Sequence, residues 1–191
     1  YDEEEIRNEI YRLFSVYWNT KEFYKTYAER DLERPENLEV EDEWILSRIN
    51  SINNGASETM DECMFHEFTR ELERFILEDL SRWYVKKVRD RLKNGDEAAA
   101  WTLGEVLRKT NLLMSPFAPY ITDSVYEDID GEKVSVHMED YPEAEKEEID
   151  EDLERYMELA REIVEKSGKI RDENQYNLRW PANRLVIYTD E

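Results

Sequence analysis

Apolar residues at positions 6, 10, 13, 14, 17, 24 and 27 recur at steps of three and four, which predicts an amphipathic helix over about residues 3–28. The stretch RDLERPENLEVED breaks that period around Pro35 and reads as a connecting loop. Ile45, Ile49, Ile52, Ala56 and Met60 then hold helical phase through Asn54-Gly55. An Asn-Gly pair is a common stop signal, but the unbroken phase favours one helix tolerating a glycine over two short ones. Phe68, Leu72, Phe75, Ile76, Leu80, Tyr84, Val88 and Leu92 mark a third helix, which ends at Asn94-Gly95. Asp96 is placed to cap a fourth, built on Ala99, Leu103, Val106, Leu107 and Leu113. Pro116 and Pro119 interrupt it, and Ile121, Val125 and Tyr126 open a short further helix.

Beyond that point the pattern weakens. DGEKVSVHMEDYPEAEKEEIDED is the least helical region, and its acids after Pro142 read as solvated linker or helix entry. Leu153, Tyr156, Met157, Ala160, Ile163 and Val164 mark a last long helix. In LRWPANRLVIYTDE, Pro181 excludes helix interior, while Leu185, Val186, Ile187 and Tyr188 favour a strand. The expected fold is all-α: a helical bundle over 1–142, an acidic linker and long C-terminal helix over 143–176, and a short β-containing tail over 177–191. Tyr1 in the place of an initiating Met, and a strand close to Glu191, read as the ends of a part cut from a longer protein.

Composition supports the helical reading and narrows the chemistry. Five Gly and five Pro leave little punctuation, and five Trp, twelve Tyr and six Phe argue against disorder. No apolar run approaches the roughly 20 residues of a membrane span. The single cysteine, Cys63, excludes an internal disulfide and fits a reducing cytoplasm. Against 26 basic residues stand 48 acidic ones, a net charge of −22 spread along the whole chain. Such a surface repels itself unless counter-ions screen it, which reads as adaptation to a salty cytoplasm, with an ordinary acidic domain as the alternative.

Little in the chain suits catalysis. Cys63 and His66 are neighbours at three residues' spacing on one predicted helix, without the third, orienting group a Cys–His pair needs. No Glu-x-x-His occurs, so the di-metal bundle pattern is missing and no metal site is expected. SGKI at 167–170 lacks the upstream glycine of a phosphate loop. No cofactor site and no catalytic residue are therefore assigned to this chain.

One stretch runs against the acidic background. SRWYVKKVRDRL, residues 81–92, gathers Arg82, Lys86, Lys87, Arg89 and Arg91, with Lys93 just beyond and Asp90 the one acid between 82 and 93. On a helix Arg82, Lys86, Arg89 and Lys93 fall on one stripe, with Lys87 and Arg91 beside it, while Tyr84, Val88 and Leu92 face the core. Trp83 is assigned to the core as well. From the residues alone two readings stay open: a solvated face whose cations pair with surplus acids, or a ridge that holds nucleic-acid phosphates.

Read in order, VYWNTKEFYKTYA, DEWILSRINS, FILEDLSRWYVKKVRDRL, LLMSPFAPYITDSVY, VSVHMEDYPE and LRWPANRLVI resemble the anticodon-binding region of class I isoleucyl-tRNA synthetases of the archaeal kind. The resemblance covers nearly the whole chain and keeps the family's order. It implies a helical bundle shared with the valine, leucine and methionine enzymes, which are the neighbouring alternatives. A helical protein-interaction scaffold is the alternative outside the family. The resemblance further implies a monomeric cytoplasmic parent enzyme that uses ATP and Mg to activate isoleucine and charge its tRNA. The HIGH and KMSKS signatures of catalysis do not occur here, so catalytic and editing domains would lie elsewhere in that polypeptide. This chain's partner would be isoleucine tRNA, held by its anticodon stem-loop. Arg82, Lys86, Lys87, Arg89, Arg91 and Lys93 would then contact the RNA backbone. Asn19 and Phe23 stand where related enzymes place anticodon-reading residues. Arg179 and Trp180 are further base-contact candidates, or belong to a junction with a following segment.

Overall fold

The computed structural model describes residues 3–28, 32–129 and 133–188. Part of the expected connecting loop (29–31), residues 130–132 and the last three positions of the expected tail lie outside it. The chain divides into two compact units, 1–149 and 150–191.

The described residues of unit one form six α-helices: α1 (Glu3–Tyr27), α2 (Val40–Asp61), α3 (Phe65–Arg74), α4 (Lys86–Lys93), α5 (Glu97–Met114) and α6 (Pro119–Ile129). Between α3 and α4 the backbone stays helical but widens into a π segment, Phe75–Val85. Two single 3-10 turns follow, Val136–Met138 and Lys146–Glu148. α5 is the central rod. Residues on every side of it are buried, from Ala99 to Met114, and it touches α1, α2, α3, α4 and α6. A helix covered all round belongs in the middle of a bundle.

The apolar periods read from the sequence are the ones that pack. Tyr17 of α1, Ile45, Ile49 and Ile52 of α2, Phe75, Ile76 and Leu80 of the π segment, and Leu103, Val106 and Leu107 of α5 are all essentially inaccessible. α1 approaches α5 closely because residue 104 is glycine. A Cβ there would stand 2.7 Å from the Tyr24 hydroxyl. In this core the Tyr17 hydroxyl donates to Asn111 Oδ1 at 2.9 Å, and Asn111 Nδ2 donates to the Thr122 carbonyl at 3.0 Å, tying α1, α5 and α6 together.

α2 runs unbroken through Asn54-Gly55, as its phase predicts. It stops instead at Cys63, a non-glycine residue with φ of +59°. Two reversed bonds close that end, Met64 N–H to the Thr59 carbonyl at 2.8 Å and Cys63 N–H to the Met60 carbonyl at 3.0 Å. Cys63 therefore lies in a turn, and the expectation that it shares a helix with His66 is corrected. Gly95 ends α4 in the same manner, with φ of +79°. Asp96 then caps α5, accepting from Ala99 N–H at 3.0 Å.

Most acids of the stretch after Pro142, expected as solvated linker or helix entry, are exposed, and Glu145 and Glu148 also bind other side chains of unit one. Lys109 of α5, 2% exposed, donates to Glu145 at 2.8 Å and to Asn50 Oδ1 at 3.3 Å. Asn50 in turn donates to Glu148 at 2.9 Å, and Arg34 pairs with Glu148. A buried ammonium needs such partners, because leaving it unpaired costs several kcal/mol. That need draws the acids inward.

Unit two is α7 (Glu151–Glu173) and the segment after it. Asp150 caps α7 through Leu153 N–H at 2.9 Å, and Gln175, with φ of +57°, ends it. The Arg171 guanidinium donates to the carbonyls of Leu178 and Trp180 at 3.3 and 2.9 Å and so folds the segment back. Leu185–Tyr188 carries no strand, and none occurs among the described residues. The expected β tail is thus not formed. A strand needs a neighbour for its backbone groups, and unit two offers none.

Several carboxylates in unit one are held below their usual range. The causes are hydrogen bonds from Arg91 for Asp96, from Ser135 for Asp123, from Lys21 and Lys25 for Asp128, from Lys133 for Glu139 and from Lys109 for Glu145. A group whose folded pKa is depressed contributes stability above its unfolded pKa, near 4, and loses it as pH falls through the folded value. The melting temperature should accordingly drop on acidification from pH 5 to below pH 4, even though protonation also relieves the net charge. A rising Tm over that window, followed by circular dichroism, would mean that self-repulsion outweighs these contacts.

Candidate nucleic-acid interface

α4 is eight residues long and begins directly where the π segment ends. Val88 and Leu92 are buried, which fixes its inner face. Lys86, Arg89 and Lys93 then share the outer face, with Asp90 among them and Lys87 on the flank, and all five are exposed. Among the described residues, none of Lys86, Lys87, Arg89 and Lys93 forms an ion pair with a carboxylate. In a chain of net charge −22 this is the notable result.

Two of the cations lie on aromatic rings. Lys87 Nζ is 5.0 Å from the centroid of the half-buried Trp83, and the Arg89 guanidinium carbon is 5.4 Å from that of Phe23. The second contact joins α4 to α1, so Arg89 and Phe23 fall together on one surface. Phe23 also packs on Tyr27 one turn on, at 5.0 Å. Asn19, one turn back, lines an open cleft of about 860 Å³ with Ser15, Trp18 and Ile121. Asn19, Phe23, Arg89 and the α4 cations thus form a continuous strip.

The remaining candidates fall elsewhere. Arg82 lies in the π segment and is exposed. Its guanidinium donates to both oxygens of Glu78, at 2.6 and 2.8 Å. Arg91 turns inward. It donates to Asp42 at 2.7 Å, to Asp96 at 2.8 Å and to Glu41 at 3.0 Å. Asp42 is wholly buried and also accepts from the Tyr84 hydroxyl at 2.7 Å. Burial, then the Asp42 charge, push the Tyr84 hydroxyl pKa well up, so it stays a donor. Arg91 therefore ties α2, α4 and the start of α5, and its expected place beside the ridge is corrected. Arg179 and Trp180 are exposed in unit two. There the Trp180 ring meets Tyr176 edge-on at 6.5 Å, and Asn177 Oδ1 accepts from the Arg179 N–H at 2.9 Å.

The sequence pattern gave no hint of Trp18. It follows the buried Tyr17 and is 38% exposed, and the Lys21 ammonium sits 3.5 Å from its ring centroid. Among the described residues no helix is long and apolar enough to cross a membrane.

Known proteins resemble this chain closely. A family profile described as "Anticodon-binding domain of tRNA ligase" matches residues 42–187. The isoleucine–tRNA ligase of Pyrococcus horikoshii is 36% identical over 198 aligned positions, which take in 96% of this chain and 19% of that protein. The isoleucine–tRNA ligase of Methanothermobacter thermautotrophicus is 35% identical, over 98% of the chain and 19% of its own length. That of Methanothrix thermoacetophila is 36% identical over 95% and 19%. The chain thus spans about a fifth of the length of the curated relatives it matches.

Proposed function

The chain belongs to the family of anticodon-binding domains of tRNA ligases, and on that premise we propose that it holds isoleucine tRNA by the anticodon stem-loop for a parent isoleucine–tRNA ligase. The α4 cations carry this reading, because Lys86, Lys87, Arg89 and Lys93 are exposed and free of carboxylate partners in an acidic body. Cations left free in this way suit phosphates, while loop bases are read by stacking and edge hydrogen bonds. Lys86, Lys87, Arg89 and Lys93 are the backbone contacts, and Asn19 and Phe23 are candidates for base contact. Arg82, exposed and paired with Glu78, stays a backbone-contact candidate, while Arg91 serves the fold. Isoleucine activation with ATP and Mg, and the editing of mischarged tRNA, belong to other domains of the parent.

Titration of the chain with isoleucine tRNA and with a non-cognate tRNA tests this directly. Tighter binding to isoleucine tRNA is expected, and equal affinity for both would leave a general RNA grip without the assignment to isoleucine.

The acidic surface fits a high-salt environment. Screening should raise the melting temperature as KCl approaches molar levels, where the Debye length is about 3 Å. A Tm flat or falling with KCl would make this an ordinary acidic domain.

A further inference from the structure

Trp18 occupies an unusual position for a partly exposed indole. One face of its ring is covered by the Lys21 ammonium, 3.5 Å from the centroid. Lys21 itself is 0% exposed. It donates to Asp128 Oδ2 at 2.7 Å and pairs with Glu22, and Lys25 donates to the other Asp128 oxygen at 2.6 Å. Burial works against the Lys21 charge, but Asp128 and Glu22 outweigh it, so the pKa is raised and the ammonium persists. The indole is thus backed by a fixed cation while it lines the open cleft beside Asn19.

On the footing of the RNA-binding reading, we infer that Trp18 is a stacking platform for one unpaired nucleobase of the bound RNA loop. Three observations favour a base over an apolar protein partner. Asn19, which lines the cleft with Trp18, is followed one turn on by Phe23, and Phe23 meets Arg89 of α4, so the cleft lies beside a surface suited to a polyanion. The neighbouring Asn19 offers both a donor and an acceptor to a base edge. A cation behind the ring fixes it in place and draws electron density from its open face, which favours stacking of an electron-rich base. Lys21 is a positioning residue here, not a contact.

The test uses the 191-residue chain and a labelled RNA hairpin with a single-stranded loop, with affinity read by fluorescence anisotropy. Trp18→Ala should weaken binding by about 5- to 150-fold, the range for loss of one base–aromatic stack, while Trp18→Phe keeps most of the affinity. The slope of log K against log salt should be the same in both variants, since stacking releases no counter-ions. A hairpin with an abasic loop should lose a similar factor with the unmodified chain, and Trp18→Ala should lose nothing more on it. The first half of that comparison, on the unmodified chain, needs no variant to fold. If Trp18→Ala binds like the unmodified chain while charge reversal at Lys86 and Lys87 weakens binding, the platform is refuted and the RNA grip stands. No binding of the hairpin even at low salt refutes both. A concentration-dependent dimer in sedimentation, abolished by Trp18→Ala, would assign the cleft to a second copy and overturn the inference.

Discussion

Arg91→Met should lower the stability of the bundle by about 3 kcal/mol while leaving RNA affinity of the folded protein within about twofold. The substitution keeps a long apolar stem but removes the guanidinium that meets Asp42, Glu41 and Asp96. Asp42 is fully buried, and its remaining side-chain donor would be the Tyr84 hydroxyl at 2.7 Å. Breaking a buried pair from one side typically costs about 3–5 kcal/mol, because the other charge stays behind. Arg91 retains some solvent access, which places the loss at the lower end. Urea unfolding checks this: the midpoint should fall with an unchanged slope. A variant as stable as the parent but clearly weaker on tRNA would return Arg91 to the RNA surface.

Reversing two charges on α4 should do the opposite, weakening RNA binding and sparing the fold. Lys86→Glu with Lys87→Glu removes two candidate phosphate contacts and adds repulsion. Each charge-assisted contact contributes on the order of 1.5 kcal/mol, so the double variant should lose about 100-fold in affinity at low salt. Its salt slope should be shallower by roughly one to two units. The folding cost is about 1 kcal/mol, from the lost stack of Lys87 on Trp83 and from a new like-charge pair between residue 86 and Asp90. The same reversal at Lys146, exposed in the second 3-10 turn, is the control and should leave affinity unchanged. Unaltered affinity and slope in the α4 variant would reduce the ridge to a solvated helix face.

Much of the bundle was legible because its buried stripes are strictly periodic. Ile45, Ile49 and Ile52 carried α2 through Asn54-Gly55, and Asp96 announced the start of α5. Helix ends were legible where glycine or proline marks them or the apolar period stops. The closure at Cys63 matches that at Gly95 in its hydrogen bonds, yet no side-chain preference signals it. The π segment was hidden for a related reason: Phe75, Ile76, Leu80 and Tyr84 satisfy an α period too. Arg91 was misplaced because its role depends on Asp42 and Glu41 from another helix, and partners distant in sequence leave no local trace. Leu185–Tyr188 show the reverse failure, since strand propensity without a pairing neighbour produces no strand.

The four unpaired cations of α4 have a consequence for encounter as well as for the bound state. A body of net charge −22 tends to repel an approaching polyanion, while the α4 face presents attraction. Such a charge layout exerts a torque on arrival: wrong-way collisions are short-lived, and the approach that survives is already oriented. Acidity then acts as a filter on orientation, exchanging some overall association rate for fewer unproductive residences on other surfaces. Added salt would flatten both the repulsion and the attraction, so the fraction of collisions that lead to docking should fall more steeply than the number of collisions itself.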